Sequence, residues 1–171
     1  VEPLTVAWML GFSEKDVMFD VGANIGVMSV IAAAVRGARV FSFEPHSENY
    51  AVLCRNVAQN NLSDLIQAWP VAVCDETGFD NLHIMDIRPG GANHAFGEPK
   101  NFLLDQQTFP HIQESYSVRL DELVKSGILP KPDHIKIDVD GFEYKVLAGM
   151  EACLAEGMVN SLLIEVNSNL D

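Results

Sequence analysis

One short run constrains this chain more than any other: Phe19-Asp20-Val21-Gly22-Ala23-Asn24-Ile25-Gly26. Apolar Val17, Met18 and Phe19 lead into it as a strand over residues 16–21. Residues 27–36 follow as a helix that is apolar nearly all round and is stopped by Gly37. A strand that runs through a tight glycine turn directly into a helix opens a βα unit, and a unit of this kind belongs to a parallel sheet covered by helices. Gly22 lets the backbone turn with no Cβ in the way. Gly26 allows helix and strand to approach closely. The first helical N–H groups then face a ligand, and the helix dipole favours an anion there.

The turn is not the dinucleotide fingerprint, because Asn24 stands where G-x-G-x-x-G needs its second glycine. A pyrophosphate requires bare backbone at that point. Asp20, two residues before Gly22, would repel a pyrophosphate and suits a ligand bearing an ammonium and a sulfonium. S-adenosylmethionine carries both, with a carboxylate for the helix N-terminus. Glu44 ends the next strand (residues 39–43), 24 residues after Asp20, and is followed by Pro45. An acid at that distance beyond the turn accepts hydrogen bonds from ribose hydroxyls.

The remaining pattern continues the alternation. A helix is expected over residues 47–59, with Asn60-Asn61 as its stop, and a third strand over 65–73. Residues 75–78 read as a turn and 81–87 as a return strand. Residues 88–115 hold Pro89, Gly90, Gly91, Gly97, Pro99 and Pro110 with little periodicity, and read as a long loop on the substrate side. A short helix over 120–126, a strand over 134–139, a helix over 141–150 and a strand over 160–166 complete the order. The expected fold is a Rossmann-like α/β domain, a mostly parallel sheet with helices on both faces.

The length of 171 residues suits one domain over 1–171. Val1 is not a start residue, so the chain reads as a segment of a longer protein, with the sheet cut short after its last strand. A net charge of −13 leaves few cations for phosphates, which argues against nucleic acid and anionic membranes as partners. No apolar run approaches about 20 residues, and no signal peptide opens the chain. Cys54, Cys74 and Cys153 are odd in number and form no CxxC, which argues against disulfides and zinc and for a reducing, cytoplasmic setting. Composition sets no oligomeric state.

Asp138, Asp140 and Glu143 crowd the end of a central strand and the start of the next helix, where open α/β sheets bind ligands. Acids so close should raise one another's pKa, and a raised carboxylate is a better general base. Helix capping explains Asp140 and Glu143 equally well. None of the five histidines, His46, His83, His94, His111 and His134, pairs at metal-ligand spacing, so no metal is expected. No Gly-x-Ser-x-Gly is present to supply a hydrolase nucleophile.

Taken together, residues 19–26, Phe43-Glu44-Pro45, Val71-Ala72-Val73-Cys74-Asp75-Glu76-Thr77-Gly78, Arg119-Leu120-Asp121-Glu122-Leu123, residues 135–143 and Leu163-Ile164-Glu165-Val166 resemble the FkbM family of methyltransferases. The resemblance implies a seven-stranded class I methyltransferase sheet, S-adenosylmethionine as cofactor, and methylation of a hydroxyl on a sugar or natural-product acceptor. It places Asp20, Gly22, Ala23, Asn24, Gly26, Glu44, Pro45 and Ala72 around the cofactor. Asp138 or Asp140 is then the base, with Glu165 in reserve. One departure is Asp140, where the family has Glu. Two rival readings stand beside it: a catalytically silent binding or interaction module, and a nicotinamide oxidoreductase, which Asn24 and Asp20 disfavour.

Overall fold

The computed structural model describes residues 3–165. Its elements run α1 (Pro3–Met9), β1 (Val17–Val21), α2 (Val27–Arg36), β2 (Arg39–Phe43), α3 (Ser47–Gln59), β3 (Ile66–Trp69), β4 (Ala72–Val73), β5 (Gly78–Ile84), β6 (Ala95–Phe96), β7 (His111–Val118), α4 (Leu120–Lys125), β8 (His134–Ile137), α5 (Glu143–Gly149), α6 (Glu151–Ala155) and β9 (Ser161–Ile164). The first sheet has the order β3-β2-β1-β8-β9, and every pairing in it is parallel.

Alternation along the central strands builds two cores. Val17, Phe19 and Val21 of β1 face the same side as Phe41, Phe43, Ile135 and Ile137. They pack with Leu120 of α4, Val146 of α5, Met150 at the α5–α6 junction and Cys153 of α6. Met18, Val40 and Ile66 face the other side, against Met9, Ala32, Ala33, Leu53 and Val57 from α1, α2 and α3. A strand buried on both faces reads as a continuous apolar run, and β1 is buried at all five residues. Helices therefore cover both faces, as the pattern predicts. Sequence order reverses between β1 and β8, and the crevice beyond their carboxyl ends is where such sheets bind ligands.

The second sheet, β4-β7-β5-β6, corrects two expectations. Residues 65–73 do not form one strand. Pro70 has no N–H to give a ladder, and the chain leaves the first sheet after Trp69 to re-pair at Ala72–Val73 with β7. Residues 88–115 are not one loop either. Ala95–Phe96 pairs antiparallel with Leu82 and His83, and residues 111–115 begin β7, which runs antiparallel to all of β5. The early part of β7 is exposed on both faces, so it carries no apolar alternation to read.

Two smaller differences concern helices. The segment before residue 12, given no element from its pattern, forms α1. Trp8 of α1 donates its indole N–H to Ser161 Oγ (2.8 Å), and Phe12 just beyond it stacks on the His134 ring at 3.8 Å. The helix expected over 141–150 starts at Glu143 and gives way at Met150 to α6. The strand expected over 160–166 is β9; its residue 166 lies outside the described residues. No helix among the described residues is long and apolar enough to cross a membrane.

Candidate active site

The crevice beyond β1, β2 and β8 is an open cavity of about 160 Å³. Its floor is the glycine turn. Gly22 has φ +75°, and a Cβ there would sit 1.8 Å from the Asp138 carbonyl oxygen, so only glycine lets β1 and β8 close at the reversal point. Gly22 N and Ala23 N both donate to Phe43 O (3.1 and 3.0 Å), which ties the turn to β2. Gly26, at φ +81°, starts α2 in contact with Leu53 of α3.

Of the residues expected around a cofactor, Gly22, Asn24, Glu44, Pro45 and Ala72 line this cavity, and Asp138 and Asp140 line it too. Asp20, Ala23, Gly26 and Glu165 are not among the lining residues. Strand parity places Asp20: it shares a face with Met18, so it points into the helix layer rather than at the crevice. It is fully buried there, accepting from Ser29 Oγ (2.6 Å), with Lys136 Nζ 3.8 Å from its other oxygen. Ala23 packs in the α1–α3 core. Glu165 is exposed beyond β9 and hydrogen-bonds the Asp138 carboxylate.

Glu44 is the most buried carboxylate on the wall. Its two oxygens accept from Asn24 N (2.8 Å) and His46 N (2.9 Å). Burial raises its pKa to about 7 despite those bonds and the nearby Asn49 amide, with the negative Asp140 adding to the rise. A carboxylate offers about four lone-pair sites, and with the Asn49 amide as a third donor roughly one remains for a ligand.

The expectation that the acids around residue 140 raise one another holds for one of them. Burial lifts Asp140 to about 6, helped by Asp138 and Glu143 and opposed by N–H groups of Asn93 and His94. Burial also pushes Asp138 upward, but its hydrogen bond with Glu165 and the Lys136 ammonium 2.8 Å away outweigh that and hold it below the usual carboxylate range. Glu143 folds back to accept from Val139 N and Gly141 N (3.1 Å each). Asp140 does not cap α5. Its Oδ2 accepts from Asn93 N (2.6 Å) and His94 N (3.2 Å), a loop from the second sheet.

Sequence reasoning passed over Asn49 and reads His94, in the long loop, as a solvated histidine rather than one facing a substrate; the structure places it on the cavity wall. Asn49 lies on the buried stripe of α3 with Leu53 and Val57, each four residues apart, and a polar residue on an apolar stripe was the available signal. His94 touches His46 edge to face, with ring centroids 4.7 Å apart. Burial and its neighbour His46 lower its pKa to about 4, so the ring is neutral at pH 7.

The donors and acceptors on this wall suit a ligand with hydroxyl donors and positive charge at one end and a flat apolar group at the other. Glu44, Asp138 and Asp140 make up the first part. Val71, Ala72, Val73 and Phe142 make up the second. S-adenosylmethionine has this distribution.

Comparison with known proteins agrees. A hexuronic acid methyltransferase, AglP, of Haloferax volcanii is 28% identical over 158 residues, covering 92% of this chain and 59% of that protein. The 31-O-demethyl-FK506 methyltransferase FkbM of Streptomyces tacrolimicus is 30% identical over 158 residues, covering 80% and 60%. This chain thus spans about three-fifths of the length of these relatives. Two solved structures share the fold. The methyltransferase FkbM from Methylobacillus flagellatus superposes with a TM-score of 0.63 at 21% identity, covering 95% of this chain and 37% of that one. A precorrin-6y C5,15-methyltransferase from Geobacter metallireducens gives 0.50 at 13%, covering 87% and 53%. The model of the methyltransferase FkbM domain matches residues 20–170, and the chain belongs to that family of methyltransferases.

Proposed function

We propose that the protein transfers a methyl group from S-adenosylmethionine to a hydroxyl oxygen of a sugar or natural-product acceptor. The observation that carries this reading is Asp140, a carboxylate on the cavity wall raised to about 6. A hydroxyl is a weak nucleophile at neutral pH, and a base of this strength adds about 10²–10⁴-fold, whereas a neutral amine acceptor would need none.

The cofactor supplies a methyl group on a sulfonium, already bonded to a good leaving group. The chain's own residues hold and orient. Glu44 would hold the ribose through the lone pair left free by Asn24 N, His46 N and the Asn49 amide. The backbone at Gly22 and Asn24 meets the methionine part, and Asp138, kept ionised by Lys136, faces its positive charge. Val71, Ala72 and Phe142 flank the adenine. Asp140 takes the proton of the acceptor hydroxyl as its oxygen attacks. Alignment of the reacting groups supplies roughly 7–11 kcal/mol of the barrier.

The AglP and FkbM relatives bear names that specify a hexuronic acid and 31-O-demethyl-FK506, the second naming an oxygen position. The test offers the purified protein S-adenosylmethionine with a labelled methyl group and a panel of hexoses, hexuronic acids and polyhydroxylated macrolides. A methyl ether is expected, with kcat reduced at least 100-fold in Asp140→Asn at saturating cofactor. Label recovered on nitrogen or carbon, or full turnover in Asp140→Asn, would overturn the reading.

A further inference from the structure

Residues 90–94, between β5 and β6, form part of the cavity wall through Gly91, Ala92 and His94. They are held there through backbone atoms. Asn49 Oδ1 accepts from Gly90 N (2.8 Å), and its Nδ2 donates to Gly91 O (3.2 Å). Asn24 Nδ2 donates to the same carbonyl (3.0 Å), and Asp140 Oδ2 accepts from Asn93 N and His94 N. Three side chains, from the turn after β1, the helix after β2 and the end of β8, therefore clip one short segment, and all three also line the cavity.

The His94 ring shows what this arrangement is for. Its Nδ1 accepts from Met85 N (3.3 Å), so in the neutral ring the proton is on Nε2. That Nε2 is buried and has no hydrogen-bond partner among the described residues. A buried donor is ordinarily paired; His94 lines the cavity beside the His46 ring, so this unmet donor points to a ligand entering there.

We propose that residues 90–94 are a strap that closes over the bound cofactor, and that Asn49 is the residue that positions it. The proposal rests on the reading of the cavity as an S-adenosylmethionine site. Because the clips take backbone N–H and C=O groups, the strap can be lifted and re-seated as a unit without repacking a core. Asn49 is almost wholly buried, so releasing the strap leaves its Oδ1 without the Gly90 N–H, which favours closure. Asp140 is the latch. It is faced by Asp138 at the end of its own strand, Glu143 of α5, Glu44 beyond β2 and His94 of the strap itself. When it takes a proton from the acceptor, its hold on Asn93 N and His94 N weakens, so the strap loosens after transfer and not before.

The probe is S-adenosylhomocysteine, first by calorimetry and then by amide hydrogen exchange. Binding is expected to slow exchange at Gly90, Asn93 and His94 at least tenfold. Asn49→Ala is expected to raise the dissociation rate of the probe about tenfold in stopped flow, with exchange in β1 and β8 unchanged. Binding with no slowing at residues 90–94, or an Asn49→Ala protein with the wild-type dissociation rate, would overturn the strap and leave the cofactor reading intact. No binding at all would overturn both. Should Asn49→Ala not fold, the wild-type exchange comparison decides alone.

Discussion

If Glu44 holds the ribose, cofactor affinity must carry a proton. In the free protein Glu44 has a pKa of about 7, because burial outweighs its bonds from His46 N, Asn24 N and the Asn49 amide. A ribose diol donates to the carboxylate and not to the acid, so the ligand selects the ionised form. With a pKa near 7, about 90% of the protein is ionised at pH 8 and about 10% at pH 6, so the apparent Kd should rise about tenfold between them. At pH 7 binding should release about half a proton, readable by calorimetry in buffers of different ionisation enthalpy. Asp140, near 6, adds a second step at lower pH. Glu44→Gln separates the two: it should bind S-adenosylhomocysteine about thirtyfold more weakly at pH 8, a loss of about 2 kcal/mol in charge-assisted hydrogen bonding, and should keep only the step near pH 6. Stability moves the opposite way. A carboxylic acid raised from 4.5 to about 7 makes the folded state bind more protons than the unfolded one between those values. Stability from this group is thus full below pH 4.5 and is lost as pH rises through 7, by about 3 kcal/mol at 1.36 kcal/mol per unit. The free protein should therefore gain stability on acidification from pH 8 to 6 while losing affinity. A Kd constant within twofold from pH 6 to 8, or proton uptake on binding at pH 7, would refute the reasoning.

Two further outcomes concern the frame of the site. Gly22→Ala puts a Cβ 1.8 Å from the Asp138 carbonyl at φ +75°, and should cost at least about 3 kcal/mol in urea unfolding; wild-type stability would show that β1 and β8 can part there freely. At the other end of the strands, the His134 ring stacks on Phe12 and bonds Ser161 Oγ (2.7 Å) and the Asp16 carboxylate (3.0 Å). His134→Ala should cost about 2 kcal/mol without altering cofactor affinity.

How much of this was legible depends on where each interaction is encoded. The first sheet was readable because its strands are buried on both faces and its turns carry glycine where a Cβ meets backbone. The second sheet was not. Its strand β5 begins with Phe79 exposed, and β7 begins with His111 and Ile112 exposed. A ribbon exposed on both faces pairs through its backbone and leaves no period-two apolar trace to read. The break at Pro70 could have been read, since a residue with no N–H in the middle of an expected ladder argues against that ladder. Segments 88–115 misled in a more interesting way. Their glycines and prolines do mark turns, but turns that join short strands rather than one long excursion.

The acids teach the same lesson at the scale of single residues. Asp20 and Asp138 both stand at strand ends, and composition alone gives them equal claims on the ligand. Depth along the strand separates them: Asp20 is paired within β1 opposite Lys136 and ends under α2 against Ser29, whereas Asp138 lies one residue beyond the end of β8 and lines the cavity. The pKa ordering needed more, because Lys136 and Glu165, which hold Asp138 down, come from positions whose approach depends on β8 and β9 lying side by side. The strap is furthest from the sequence of all. Its bonds to Asn24, Asn49 and Asp140 at Gly90, Gly91, Asn93 and His94 are all made by its backbone, so its own side chains encode little of its position. What they do encode is written on the other side of the contact, in an asparagine on the apolar stripe of α3 whose amide has no reason to be there unless something polar is packed against it.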